Sequence, residues 1–96
     1  MTSQERIYTA ALAAAANGWK LDRHAERQSA AKGIDPFLLM AAAGDPTVRY
    51  AHGAKYPGQW RHIRDGIVAI VEPKSKRVIT TYLDREVTPL RADQRA

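Results

Sequence analysis

No cysteine occurs among the 96 residues. That excludes a disulfide framework and a thiolate metal site, and it suits a reducing compartment. Histidines stand only at 24, 52 and 62, with no His-x-x-x-His spacing and no clustered carboxylate, so neither a metal site nor a cofactor is expected. A basic n-region is missing from the N-terminus. The apolar run Ala10–Ala16 holds one leucine and otherwise alanine, too short and too weakly apolar for a signal peptide or a membrane span. The expectation is a cytoplasmic protein with no membrane partner. There is also no internal repeat, and no low-complexity segment beyond the alanines.

What the chain does have is basic charge. Fifteen Lys and Arg against ten Asp and Glu leave a formal charge of +5. Such a surface draws polyanions: nucleic acid, an acidic membrane or an acidic protein. Hydrophobic residues make up 45% and charged residues 26%, so the chain folds rather than staying disordered. Its length suits one small domain, 1–96, with no room for a second core.

Thr2-Ser3-Gln4-Glu5 has capping-box spacing, and a helix follows over 3–16, rich in alanine and stopped by Asn17-Gly18. Ile7, Ala11, Ala14 and Ala15 give it only a thin apolar stripe, which implies loose docking. Asp22 caps a second helix to about Ala31, closed by Gly33. Asp35-Pro36 starts a third, which Gly44-Asp45-Pro46 ends. The period then changes. Thr47–Tyr50 suits a short strand, and 51–58 a polar loop. Gln59–Arg64 and Ile67–Val71 flank Asp65-Gly66, the strongest short hairpin signal. A looser turn over 72–77 leads to the strand Val78–Leu83. Glu86-Val87-Thr88 reads as an edge strand before a frayed tail, 89–96. Ile67–Val71 is apolar throughout, so its strand is central or covered on both faces. The expected fold is α+β: about three N-terminal helices packed on an antiparallel meander of three to five strands, with 1–18 as an alanine-rich helix and 21–88 as the core.

A two-residue loop at Asp65-Gly66 pairs Arg64 with Ile67, His62 with Ala69 and Trp60 with Val71. Trp60, His62 and Arg64 then share one sheet face, Arg61 and Ile63 the other. Simple alternation puts Val78, Thr80 and Tyr82 on one face of the last strand, Ile79, Thr81 and Leu83 on the other. Register across 72–77 is not fixed by pattern, so Thr80 falls either on the His62 side or on the Arg61 side. On the second helix, His24 and Arg27 are i and i+3 and share a face, with Gln28 beside them.

His24-Ala25-Glu26-Arg27, then Lys32-Gly33-Ile34, then a basic strand leading through Gly66 into Ile67–Val71, then Thr80-Thr81-Tyr82, stand in a familiar order. The order resembles the HA-x-x-R … RGI … T-x-Y pattern of small bacterial and phage proteins of the barnase–EndoU–colicin–RelE toxin superfamily. The likeness covers about residues 21–83, with Lys32 where the family usually has arginine. Members are small basic α+β domains, many of them metal-independent ribonucleases. The resemblance implies a toxin-like or growth-inhibitory protein acting on host tRNA or mRNA, with an antitoxin or immunity protein as partner. It implies His24 as base, Arg27 and Arg61 as phosphate clamps with Arg64 the alternative cation, and Thr80 and Tyr82 as orienting donors. His62 or His52 would be the second proton carrier, and Trp60 would stack a base.

RNA cleavage without metal needs a base for the 2′-OH, an acid for the leaving 5′-oxygen and donors for the phosphorane, and it leaves a 2′,3′-cyclic phosphate. Imidazole titrates near neutral pH, and a guanidinium fork matches phosphate oxygens. The same residues also suit plainer work. His24 and Arg27 read as a solvated pair, Tyr82 as a cap on the core, Trp60 as a core plug, and Arg61, His62 and Arg64 as a charged sheet edge. The alternative function is therefore a non-catalytic protein of the same fold that binds and inhibits a host protein.

Overall fold

The computed structural model describes residues 2–84. The edge strand expected at 86–88 and the tail at 89–96 lie outside the described residues. The elements run α1 (Ser3–Ala16), β1 (Lys20–Leu21), α2 (Arg23–Lys32), α3 (Pro36–Gly44), β2 (Val48–Ala51), β3 (Trp60–Arg64), β4 (Ile67–Glu72) and β5 (Arg77–Leu83). The chain is α+β with its helices N-terminal, as the sequence implies.

Local chemistry sets the helix ends. Thr2 Oγ1 accepts the Glu5 backbone N–H at 3.1 Å, and Asp35 Oδ1 accepts that of Phe37 at 2.9 Å. Asp22 occupies the cap position of α2 but makes no side-chain cap bond. Its two carboxylate oxygens go instead to Arg77 Nε and Nη2, at 3.0 and 2.6 Å, tying α2 to the start of β5. Gly33, at φ 67°, closes α2 in the left-handed conformation that glycine adopts without strain.

The sheet order is β1-β5-β4-β3-β2. Strands β2 to β5 form the expected antiparallel meander, whereas β1 runs parallel to β5 and makes the sheet mixed. Asp65 and Gly66 both have positive φ, 49° and 79°, and pair Arg64 with Ile67 as the two-residue turn requires. Between β4 and β5 the register slips: Ile70 opposes Thr80, yet Val71 opposes Val78. Ile79 is the extra residue of this bulge. The expected alternation therefore breaks. Val78 faces the same way as Thr81 and Leu83, while Thr80 and Tyr82 face the other way.

One core lies between the helices and the sheet, built on Ala25, Ile34, Leu39, Ala42 and Ala43 against Ile67, Ala69, Val71 and Val78. Thr81 is fully buried on this side and donates its hydroxyl to the Val68 carbonyl at 2.8 Å, which satisfies it. Helix α1 packs on α3 through its alanines, closely enough that a Cβ on Gly44 would sit 2.5 Å from Ala14 Cβ and 3.2 Å from its Cα. Gly44→Ala should consequently cost about 1–3 kcal/mol by overpacking, read as a lower midpoint in thermal unfolding. An unchanged midpoint would mean that the two helices separate freely.

Candidate nucleic-acid interface

The two faces of the sheet differ. The first face carries Trp60, His62 and Arg64 on β3 and meets the helices. The second carries two rows across the strands, Tyr50–Arg61–Ile70–Thr80 and Val48–Ile63–Val68–Tyr82. With strands about 4.8 Å apart, each four-residue row spans about 14 Å, the reach of a few nucleotides. Ile63, Val68 and Ile70 make a small apolar floor here, with Tyr50 and Tyr82 packed against it.

The residues expected to act together are divided between these faces. His24 and Arg27 are exposed on α2, whose buried residues Ala25 and Ser29 turn toward the core. The sheet stands between them and Arg61, Thr80 and Tyr82. The bulge at Ile79 contributes to this division by sending Thr80 and Tyr82 to the second face while Val78 stays under the helices.

Three residues expected to contact substrate are engaged within the fold on the helical side of the sheet. His62 is only 4% exposed, and its Nδ1 lies 2.7 Å from the Ala43 carbonyl at the end of α3. Its Nε2 is buried with no hydrogen-bond partner among the described residues, and the Trp19 ring lies at 6.0 Å, tilted. Burial holds the imidazole below its ordinary pKa; the Ala43 bond opposes this and the Arg49 charge adds to it. His62 is a neutral core residue, out of reach of RNA. Trp60 packs against the core on the same face, with the Arg49 guanidinium 4.4 Å from the ring centroid. Arg64 donates through Nη1 to the Asp45 carboxylate and carbonyl at 3.0 and 3.2 Å, and its Nε reaches Asp65 at 3.3 Å. It pins the β3–β4 turn to the end of α3 and is already engaged.

What does converge is the far end of the β2–β3 hairpin, on the second face. Arg61 Nε donates to His52 Nδ1 at 3.0 Å. The Arg61 guanidinium carbon also lies 5.7 Å from the Tyr50 ring centroid, and the His52 ring stacks on Tyr56 with centroids 4.8 Å apart and planes at 27°. Burial pushes the His52 pKa down, and the Arg61 charge adds to the effect. One strand beyond Ile70 stand Thr80 and Tyr82. Burial pushes the Tyr82 pKa up; Arg61 opposes this and Tyr56 reinforces it, so the phenol stays protonated and able to donate.

The sequence pattern points to Arg61, Thr80 and Tyr82 but not to Tyr50 and Tyr56, and to His52 only as one of two proton carriers. A signal was present: arginine, tyrosine, histidine and lysine interleave over 49–61, on both arms and the loop of a hairpin. Among the described residues no group of His, Asp or Glu could hold a metal ion, and no helix is long and apolar enough to cross a membrane. No family model, curated protein or solved structure matches the chain.

Proposed function

We propose that this protein binds single-stranded RNA across the second face of its sheet, at the β2–β3 end, with Arg61 on phosphate and the Tyr50, Tyr56 and Tyr82 rings offered to bases. The observation that supports it is one guanidinium flanked by a tyrosine face and a tyrosine-stacked histidine, beside a strand carrying Thr80 and Tyr82. A fixed cation among π faces is the chemistry of single-strand binding, where phosphate supplies affinity and stacking tolerates any base. The net charge of +5 favours the same ligand over a basic one. The likeness to ribonuclease toxins favours RNA, and with it a cytoplasmic site of action.

Cleavage is the second reading, favoured by the same cluster. Arg61 would hold the scissile phosphate, and Thr80 and Tyr82 would donate to its oxygens. A base is harder to find. His52 Nδ1 accepts from Arg61, so the neutral ring carries its proton on Nε2 and has no spare lone pair. Cleavage needs that bond to open, whereas binding does not, so binding comes first.

Labelled single-stranded RNA incubated with the protein, with and without EDTA, separates these outcomes. The expected result is binding that weakens steeply as salt rises, with the RNA left intact. Fragments ending in 2′,3′-cyclic phosphate, formed equally in EDTA, would move the assignment to a metal-independent ribonuclease. No retention at low salt would sink the RNA reading and leave the host-protein inhibitor.

A further inference from the structure

We infer that His52 is a positioning residue for the Arg61 phosphate clamp: its Nδ1 holds Arg61 Nε, so that the paired Nη groups project as a fixed fork toward a phosphodiester. This rests on the RNA reading above and names how the same site is ordered.

An unrestrained arginine keeps several rotamers, and ordering it costs binding free energy each time a phosphate is gripped. Here that ordering is built in. The 3.0 Å bond uses the one nitrogen that sits on the arginine stem and leaves both Nη groups outside that bond. A second restraint comes from the Tyr50 ring, its centroid 5.7 Å from the guanidinium carbon. His52 is itself held. Its backbone N–H donates to the Gln59 carbonyl at 2.9 Å, which continues the hairpin past β2, and its ring is fixed by the stack on Tyr56. The chain of support thus runs from Tyr56 to His52 to Arg61. It also fixes the tautomer: Nδ1 must be the acceptor, so the proton sits on Nε2, a second donor beside the fork.

Asparagine separates this role from simple packing, because its Oδ1 stands at the same bond distance from Cβ as histidine Nδ1 and accepts in the same way. Two measurements are made on wild type, His52→Ala and His52→Asn. The first is affinity for a fluorescent oligouridylate of about twelve nucleotides. The second is hydrogen exchange of the Arg61 Nε–H by NMR, with the His52 ring nitrogens read in the wild type. The inference expects an unprotonated Nδ1 and a protected Nε–H. It also expects affinity about tenfold lower in His52→Ala, the equivalent of one ordered contact, and mostly restored in His52→Asn. Asparagine no better than alanine, or a Nε–H that exchanges as fast in wild type as in His52→Ala, overturns it. Should wild type not bind RNA at all, the RNA reading falls, and the exchange data alone still decide whether His52 holds Arg61.

Discussion

His62→Ala should lower the melting temperature by roughly 8–32 °C, from a loss of about 2–4 kcal/mol and a slope of about 4–8 °C per kcal/mol for a domain this small. The variant removes a ring buried against Trp19 and also strips the Ala43 carbonyl of its bond at the closing turn of α3. The loss should depend on pH. Burial keeps the folded pKa of His62 below the ordinary 6.5, so the unfolded chain takes up the proton first. The contribution of the neutral ring is complete above the unfolded pKa and is lost as pH falls through it toward the lower folded value. Among the described residues no partner waits at Nε2 to hold an arriving proton, and Arg49 repels it. Unfolding followed at about pH 7.5 and about pH 5 should show wild type losing more stability than His62→Ala over that interval. His52 keeps some dependence in both proteins, since its pKa is depressed too. A midpoint unmoved by the substitution would return His62 to the surface and to the list of substrate contacts.

Helix ends were legible because short-range chemistry sets them: the Thr2 and Asp35 caps, Pro36 in the first turn of α3 and the left-handed Gly33 each act within a few residues. Asp65-Gly66 likewise fixed the β3–β4 register to the residue. Strand β1 was not legible, since two residues carry no period and its pairing with Arg77 and Val78 is long-range. Nor was the bulge at Ile79, which inverts the simple alternation of β5. The division of the candidate site between two faces was not legible for a related reason. Ile67–Val71 is apolar on both sides, so pattern alone does not say which face of its neighbour the helices cover. Had β4 alternated, its polar side would have marked Arg61 as outward and His62 as inward. Spacing on α2 correctly put His24 and Arg27 on one helix face, but spacing along a helix carries no information about the side of the sheet on which that helix lies.

Arg61→Glu is expected to weaken RNA binding by about 100-fold. Losing a charge-assisted phosphate contact accounts for about 1.5–3 kcal/mol, and a carboxylate in its place repels the phosphate. Since one phosphate contact disappears, the salt dependence of the remaining affinity should flatten by about one counterion. Arg61→Lys keeps the charge but gives up the Nε–H and the fork, so it should fall between wild type and Arg61→Glu. His24→Ala and Arg27→Ala make the contrasting pair. Both side chains are exposed on the helical layer, and either change should leave affinity within about twofold of wild type, the size of an ordinary surface effect. The opposite pattern, with His24 and Arg27 essential and Arg61 dispensable, would place the RNA surface on α2. The HA-x-x-R segment would then be a functional motif in this chain, not only the start of a helix docked on the sheet through Ala25 and Ser29. Unfolding curves for all four variants keep the comparison one of binding, because Arg61 shares its row with the buried Ile70 and its replacement also touches the apolar floor.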